Sequence, residues 1–145
     1  AVVHSKARDN ARTPMQWDAS DNAGFTRGTP WLRPVNHAEV NVESAERGRI
    51  LPYYRRLIEA RHTHPIIAEG SYTPYNAPDE VFAYVREHDG QHLLVLNNFR
   101  SHDVDVDVLG GFAQGRVLIG NYDDAVVRSR ITLRPYESLA IITGA

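Results

Sequence analysis

The segment Glu80–Phe99, EVFAYVREHDGQHLLVLNNF, decides the fold of this 145-residue chain. It contains two apolar runs rich in Val, Leu and aromatic residues, separated by the turn-like sequence HDGQ. Such runs favour extended strands, and an Asp-Gly pair between them is a strong signal for a hairpin. The segment therefore predicts two antiparallel strands joined by a tight turn.

Five more apolar runs lie close to this hairpin, between residues 71 and 143: SYTPY, HDVDVDVL, GRVLIG, RITLRP and SLAIIT. Glycine, proline, asparagine and aspartate interrupt them, and LGGF supplies another turn-like sequence. Short strands at this close spacing are typical of an antiparallel sandwich. The sequence predicts a mainly β protein, with a C-terminal antiparallel β-sandwich domain over residues 67–145.

One amphipathic helix is predicted before the sandwich, over residues 45–62. Four apolar side chains recur there at helical spacing, with arginines on the other side. They are Ile50, Tyr54, Leu57 and Ile58. Because an interior proline costs about 3 kcal/mol, Pro52 predicts that the helix either begins just before it or kinks there. The sequence THPII then ends the helix, since a residue before proline disfavours helical backbone.

Residues 1–42 show neither helical nor strand periodicity, and prolines and glycines punctuate them. Long irregular segments inside compact domains are usually functional or disordered. Several large apolar residues here are unfavourable to leave in water. They are Met15, Trp17, Phe25, Trp31 and Leu32. The sequence therefore predicts a packed loop with a functional role.

The composition excludes several classes of partner. The net charge is -2, from 16 Lys and Arg against 18 Asp and Glu, so no basic surface for nucleic acid or an anionic membrane is expected. No stretch approaches the ~20 apolar residues of a membrane helix. The chain has no cysteine, which predicts neither disulfides nor Cys-based zinc sites and fits a cytoplasmic location. Nothing in the sequence indicates a cofactor.

Two motifs have a metal-binding interpretation that the residue pattern does not favour. The aspartates and valines of HDVDVDV alternate, but a calcium loop of the EF-hand type would need Gly in place of Val108 and Glu in place of Gln114. A solvated strand face is the better interpretation. His62 and His64 flank the end of the predicted helix, where a cation is favourable beside the helix dipole. We predict no metal site.

The polar stretch KARDNARTPMQWD, residues 6–18, contains the candidate binding residues. Its charged side chains lie next to large apolar ones, so they must be paired or line a polar pocket. A guanidinium presents a rigid fork of donors that suits a carboxylate or a pair of sugar hydroxyls. Arg12 is the leading candidate for substrate binding. Arg8 and Asp9 either share this role or pin the loop through a local ion pair.

Two motifs in series, RDNARTPMQWD and NAGFTRGTPWL, closely resemble glycoside hydrolase family 13 α-glucosidases, especially the oligo-1,6-glucosidase branch. Further along, YYRRLIEARHTHPII resembles the last barrel helix of these enzymes, and VFAYVR with LLVLNNF resembles the first strands of their C-terminal domain. The resemblance covers nearly the whole chain. It implies that residues 1–66 form the end of the catalytic (β/α)8 barrel, namely the loop after strand eight and helix eight.

The resemblance also implies roles for individual residues. Arg12 matches an arginine that pairs with an aspartate from an early barrel loop and with hydroxyls of the terminal glucose, while Arg8 and Asp9 match residues near the pocket rim. The family uses a retaining mechanism with an Asp nucleophile and a Glu acid/base about 5 Å apart. Both carboxylates lie upstream in the family, and Asp18 and Asp21 match neither of them. No catalytic residue is expected in this chain.

The chain is therefore expected to be the C-terminal fragment of an α-glucosidase that hydrolyses α-linked gluco-oligosaccharides, and to be inactive without the missing catalytic barrel. A small oligosaccharide is the expected partner of the intact enzyme. Sucrose isomerases, trehalose-phosphate hydrolases and trehalose synthases have similar loops, so substrate and linkage stay open. Without the barrel, we expect the helix to expose an apolar stripe. The first forty residues are expected to be poorly ordered or held by outside contacts.

An alternative of another class is that the β-rich half is a non-catalytic module, either carbohydrate-binding or structural. Sugar binding would require exposed aromatic platforms on the sandwich. SYTPYN offers Tyr72 and Tyr75 as the candidates. A module without such platforms would serve to cover and stabilise the barrel.

Overall fold

A computed structural model describes residues 12–144 of the chain. The candidate residues Arg8 and Asp9 lie outside the described residues. The chain forms two compact units, one up to Tyr54 and one from Arg55 onwards. They are called here the loop unit and the β unit, and each is described by itself. The domain boundary expected between residues 66 and 67 concerns the intact protein and stays a prediction.

The loop unit begins with an irregular segment, residues 12–41, as predicted. A tight turn at Asp21–Gly24 has left-handed backbone at Asn22 and Ala23, with φ of 54° and 57°. Gly24 is also left-handed, and a Cβ atom there would lie 2.5 Å from a carboxylate oxygen of Asp18. Only glycine fits this position without displacing its neighbour.

The large apolar residues of this segment are not buried, so the prediction of a packed loop is wrong for them. Met15, Trp17 and Phe25 each remain 51% exposed, and Trp31 remains 87% exposed. The reason is that the described part of the loop unit has few apolar surfaces against which these side chains could pack. Ala23 is its one buried hydrophobic residue among those described.

Two helices replace the single helix predicted over residues 45–62. Helix α1 spans Val42–Arg47 and helix α2 spans Ile50–Thr63. The interruption occurs at Gly48, whose extended backbone (ψ -177°) ends α1. Pro52 lies in the first turn of α2, where its missing N–H group costs little. The helix therefore begins just before the proline, which was one of the two predicted outcomes.

A capping box starts α1. The Asn41 side chain accepts a hydrogen bond from Ser44 N at 2.8 Å, and Ser44 Oγ accepts one from Asn41 N at 3.0 Å. The Asn41 amide also donates to His37 O at 2.7 Å. These bonds satisfy backbone donors that the helix itself leaves free, and they fix where the irregular segment ends.

Helix α2 has no buried residue, and the prediction of an exposed apolar stripe is confirmed. Its exposed apolar side chains are Ile50 (86%), Tyr54 (60%), Ile58 (44%) and Leu57 (38%). His62 lies in its last turn, as expected. With 14 residues and several arginines, α2 is the longest helix between residues 12 and 144, and none found there has the length and hydrophobicity of a membrane span.

The β unit continues with a short helix, α3 (Ile66–Glu69), and then all seven predicted strands. The strands are β1 (Thr73–Pro74), β2 (Val81–His88), β3 (Gln91–Asn98), β4 (Val104–Asp107), β5 (Arg116–Gly120), β6 (Arg130–Leu133) and β7 (Ser138–Thr143). A 3-10 helix at Gly110–Gln114 occupies the glycine-rich sequence that follows β4.

Two antiparallel sheets contain these strands, one with the order β1-β2-β3-β7-β5 and one formed by β4 and β6. The predicted hairpin is β2–β3, in which Val81 lies opposite Asn98. Asp89 and Gly90 at its tip have φ of 46° and 76°. Positive φ at both central residues is the signature of the two-residue hairpin turn that Asp-Gly favours.

Alternate side chains of the two sheets meet in one hydrophobic core. The larger sheet contributes Leu94, Leu96, Leu139 and Ile141, and the smaller sheet contributes Val104, Val106, Ile131 and Leu133. Full burial of such a side chain contributes about 1.5–3 kcal/mol. The predicted antiparallel sandwich is confirmed, as is the alternation of HDVDVDV. The valines of β4 are buried, and its outward aspartates, Asp105 and Asp107, pair with Arg130.

Two buried polar side chains lie beside this core. Asn98, 2% exposed, donates from Nδ2 to the backbone carbonyls of His102, Leu133 and Arg134. Glu137, 3% exposed, accepts from the Arg134 guanidinium with both carboxylate oxygens. The hydrogen bonds that Arg134 donates to Glu137 and then to Asp124 raise the pKa of Arg134 well above its usual value. Each buried group is thus satisfied by a partner.

Candidate functional site

Gln16 holds the irregular segment of the loop unit together. Its side chain accepts a hydrogen bond from Val35 N at 3.0 Å and donates one to Val40 O, and its backbone oxygen accepts from Val42 N at 2.9 Å. One residue thus connects the start of the segment to its end and to the first residue of α1. These hydrogen bonds lie within the unit itself, whereas the expectation that the first forty residues are poorly ordered or held by outside contacts stays a prediction.

Asp18 and Ser20 form a second local constraint. The Asp18 carboxylate accepts from Ser20 N at 2.8 Å and also from Ser20 Oγ. These hydrogen bonds, with a smaller contribution from the charge of His37, lower the pKa of Asp18. Trp17 N donates to Ala23 O at 2.9 Å and closes the turn. Asp18 therefore acts on loop geometry.

Arg12 borders a cleft of about 270 Å³ in the loop unit. Its Cζ atom lies 5.9 Å from the centroid of the Trp31 ring. A guanidinium at this distance from an aromatic ring is attracted by the negative face of the ring. The rest of the cleft is mostly apolar, being lined by Thr13, Pro14, Met15, Phe25, Pro30 and Leu32. A fork of donors beside apolar surfaces suits a ligand with hydroxyl groups on its edge and C–H groups on its faces.

Of the three predicted substrate-binding residues, Arg12 alone lies among the described residues. Arg8 and Asp9 lie outside them, so their roles stay predictions. The sequence interpretation missed the role of Gln16, which connects the ends of the irregular segment, and the contact of Trp31 with Arg12. Both make contacts with residues distant in the sequence, and no local periodicity signals such contacts.

Metal ligation has no support in the described part of the chain. Within residues 12–144, His, Asp and Glu side chains form no group of three or more that could hold an ion. Most of the carboxylates that looked like ligands in the sequence have other partners. Asp105 accepts from Thr132 and Arg130, and Asp107 accepts from Arg130.

The outer face of the larger sheet carries three aromatic rings. The centroids of Tyr72 and Tyr84 are 5.3 Å apart, and those of Phe82 and Tyr84 are 5.6 Å apart. Tyr72 is 56% exposed and Phe82 is 49% exposed. These rings lie opposite the core-facing residues of β2, because side chains alternate along a strand.

Tyr75, the other aromatic candidate, is occupied by structural contacts. Its hydroxyl accepts from Leu109 N at 2.7 Å and donates to Asp107 O at 3.1 Å. Its ring meets Phe112 edge-on, with the centroids 6.5 Å apart. Tyr75 therefore links the end of β1 to the segment after β4, and a sugar could not stack on it without displacing these partners.

Comparison with protein families gives two matches along the chain. Residues 1–70 match the family described as alpha amylase, catalytic domain, and residues 81–140 match the alpha-amylase SusG C-terminal domain. Trehalose-6-phosphate hydrolase of Bacillus subtilis is 39% identical over 96% of this chain. An oligo-1,6-glucosidase of Heyndrickxia coagulans is 42% identical over 94% of it. The chain spans about a quarter of the length of these relatives, namely 26% and 25%.

Solved structures give the same result. Trehalose-6-phosphate hydrolase of Bacillus licheniformis superposes with a TM-score of 0.75 at 35% identity, over 97% of this chain and 27% of that one. An isomaltulose synthase mutant of Erwinia rhapontici superposes with a TM-score of 0.75 at 36% identity, over 95% of this chain and 26% of that one. Two family matches together take in most of its length, and both describe parts of alpha-amylase enzymes, so this chain is similar over most of its length to the α-amylase family, glycoside hydrolase family 13.

Proposed function

We propose that this chain supplies the end of the catalytic barrel and the C-terminal β domain of a retaining α-glucosidase that hydrolyses short α-linked gluco-oligosaccharides. The observation that carries the proposal is the cleft of Arg12 and Trp31, which lies in the part that matches the catalytic domain. The catalytic Asp and Glu of the mechanism come from the rest of the protein. The chain by itself is expected to hydrolyse nothing.

The exposed apolar side chains of the loop unit and, separately, those of α2, most of which belongs to the β unit, support this assignment. Met15, Phe25 and Trp31 are all at least half exposed, and α2 buries none of its residues. Large apolar groups in such numbers at a surface indicate a protein contact or a binding cleft. The missing part of the barrel is the partner that we propose for these side chains.

In the proposed enzyme, Arg12 binds hydroxyl groups of the terminal glucose and pairs with an aspartate from the barrel. A planar guanidinium suits both tasks because its donors are fixed relative to one another. Trp31 limits the positions that the guanidinium can adopt. The glucose would then be held in the orientation required for attack at its anomeric carbon.

The test uses the full-length protein and p-nitrophenyl α-glucoside. Arg12→Ala should lower kcat/KM about 10- to 100-fold, since a hydrogen bond to a charged group contributes about 1.5–3 kcal/mol. Arg128→Ala, at an exposed arginine of the β unit, is the matched control and should behave like wild type. Near-normal kinetics of Arg12→Ala would remove Arg12 from the binding site. A full-length protein without any α-glucosidase activity would overturn the proposed function itself.

The relatives leave more than one substrate class for the intact enzyme. Their names include an oligo-1,6-glucosidase, a trehalose-6-phosphate hydrolase and an isomaltulose synthase. We favour neutral gluco-oligosaccharides, because several of the relatives are oligo-1,6-glucosidases at 41–42% identity. Product analysis with isomaltose, trehalose 6-phosphate and sucrose separates hydrolysis of each linkage from isomerisation. Turnover of sucrose to an isomer without hydrolysis would contradict our choice.

A second candidate function concerns the β unit alone. Tyr72, Tyr84 and Phe82 form a row of rings on the sheet, of which Tyr72 and Phe82 are exposed, and a carbohydrate-binding module would need such a surface. Titration with maltose or isomaltose, followed by the NMR signals of these rings, tests this function. Saturable shifts confined to the three rings would support sugar binding. The absence of shifts would leave the β unit with a structural role.

The location of the intact enzyme is also part of the proposal. We place it in the cytoplasm, because the 145 residues of this chain contain no cysteine and their stability therefore needs no disulfide. Fractionation of cells that express the full-length protein is the test, and activity in the secreted fraction would contradict this placement.

A further inference from the structure

A second cleft of the loop unit, of about 530 Å³, has a cationic lining. Its lining side chains include Arg27, Arg33 and His37. This cleft and the cleft of Arg12 share one lining residue, Pro30. The remaining lining residues are Asn22, Gly28, Thr29 and Pro34. None of the described residues that line this cleft is acidic.

The two arginines of this cleft lack carboxylate partners within the described part of the chain, residues 12–144. The arginines of the β unit show the contrast. Arg130 pairs with aspartates across β4 and β6, and Arg134 pairs with Glu137 and Asp124. Two guanidinium groups that line one cleft repel each other unless an anion lies between them. The arrangement therefore favours a negatively charged ligand.

His37 contributes less than the arginines, because a carboxylate already faces it. The charge of His37 helps to lower the pKa of Asp18, whose carboxylate is held by Ser20. The positive charge available to a ligand therefore comes from Arg27 and Arg33. A guanidinium binds the oxygens of a phosphate through two parallel N–H groups, which makes a tetrahedral oxyanion the best-fitting ligand.

The wall of the cleft is built to a fixed shape. The Asn22 amide donates to Thr26 O at 3.2 Å and to Gly28 O at 3.1 Å, and Gly28 N donates to Thr26 Oγ1 at 3.1 Å. The two carbonyl oxygens are thereby engaged by a donor instead of being left to repel an anion. Thr29, also in the lining, carries a hydroxyl group that can act as a further donor.

We propose that the cleft of Arg27 and Arg33 binds a phosphate group, either free inorganic phosphate or the phosphate of a phosphorylated glucoside. The second source rests on the proposed function, because it assumes that the intact enzyme handles sugars. Binding of free inorganic phosphate does not rest on the proposed function, since it requires only the anion. Both sources share the same recognition chemistry, two guanidinium forks on one tetrahedral oxyanion.

The experiment is calorimetric titration of the 145-residue chain with inorganic phosphate at constant ionic strength. Wild type should bind phosphate saturably. Arg27→Gln and Arg33→Gln should each weaken binding about tenfold, as expected for loss of a charge-assisted hydrogen bond, and the double variant should abolish it. Arg128→Gln is the matched control, because it removes the same charge from an exposed position of the β unit. It should leave phosphate binding unchanged.

Three results would overturn the proposal: no saturable binding by wild type, full binding by the double variant, or equal weakening by Arg128→Gln. Arg33→Lys provides a check that does not depend on removing a charge. The substitution keeps the positive charge but loses the planar fork of N–H donors, so it should weaken phosphate binding partially. Unchanged circular dichroism of each variant shows that the fold is retained.

Titration with glucose 6-phosphate and with glucose distinguishes the two sources. Tighter binding of glucose 6-phosphate than of phosphate assigns the cleft to a phosphorylated sugar, whereas tighter binding of phosphate assigns it to the free anion. Glucose alone should not bind there, and displacement of phosphate by glucose would contradict the proposal. These titrations require no catalysis. Their failure therefore leaves the α-glucosidase assignment untouched, and an inactive full-length protein would leave the phosphate result standing.

Discussion

The guanidinium of Arg12 lies over the ring of Trp31, with Cζ 5.9 Å from the ring centroid. Trp31 is 87% exposed, so the ring is not held in an apolar core and remains available to a ligand or to another part of the protein. The pair places a charged fork and an apolar face on the same cleft. This relationship gives the first prediction.

Trp31→Leu in the full-length protein should raise KM for p-nitrophenyl α-glucoside about two- to fivefold. The reason is that an exposed cation–π contact contributes about 0.5–1 kcal/mol to holding the guanidinium in place. Steady-state kinetics measure the effect. Trp31→Phe keeps an aromatic face and should restore most of the lost affinity. Equal kinetics of the Leu and Phe variants would show that the ring does not position Arg12.

Gln16→Ala should loosen the irregular segment without unfolding the β unit. The substitution removes the acceptor of Val35 N and the donor to Val40 O, each worth about 1 kcal/mol. Amide hydrogen exchange at Val35 should become about fivefold faster. The amide of Gly28, which donates to Thr26 Oγ1, is the internal control. If exchange at Val35 is unaltered, Gln16 does not hold the segment.

Gly115→Ala should destabilise the β unit by about 1–3 kcal/mol through overpacking. A Cβ atom at this position would lie 2.7 Å from methyl groups of Ile141 and Thr143, and both belong to β7. Gly111→Ala is the matched control, because a Cβ atom there would meet nothing within 4 Å. Thermal unfolding of the two variants should therefore differ clearly. Similar midpoints would contradict the close contact of Gly115 with β7.

Thr132→Val should make the stability of the β unit less sensitive to acid. A hydrogen bond from Thr132, and next one from Arg130, lowers the pKa of Asp105 below its ordinary value of 3.8. A carboxyl with a lowered folded-state pKa stabilises the fold above its unfolded-state pKa, and this contribution is lost as pH falls through the folded-state pKa. The difference between wild type and Thr132→Val should thus be largest near neutral pH and shrink below pH 3.8.

Urea unfolding at neutral pH and at about pH 3 measures this difference. Asp103→Asn, at an exposed neighbouring carboxylate, is the control and should keep the acid sensitivity of wild type. A difference between wild type and Thr132→Val that is the same at both pH values would contradict the role of the Asp105 hydrogen bond.

The β-sandwich could be predicted because its signals are local. Alternation along HDVDVDV places the valines inward and the aspartates outward in the structure, and Asp-Gly occupies the tip of the β2–β3 hairpin. Strand periodicity and turn chemistry depend on residues a few positions apart. The helical segment was harder to predict. The extended backbone at Gly48 divides what the apolar spacing indicated as one helix, and the capping box at Asn41 sets where the first of the two helices begins.

The candidate site could be predicted only in part. Sequence motifs selected Arg12 and indicated the family, but they did not show that Trp31 faces it or that Gln16 ties the segment together. The prediction that the aromatic residues of the loop are packed was wrong, because the described part of the loop unit offers few apolar surfaces against which they could pack. Side-chain burial depends on everything that surrounds a residue, and a local pattern does not contain that information.

The sequence by itself determined the strands, the hairpin turn and the family, since each depends on neighbouring residues or on a continuous motif. Tertiary structure alone decided which arginines pair with carboxylates. Arg134 is enclosed by Glu137 and Asp124, whereas Arg27 and Arg33 line a cleft to which the described residues contribute no carboxylate. The physical reason is that ion pairing depends on distances of a few ångströms between groups that the fold, and not the order of residues, brings together.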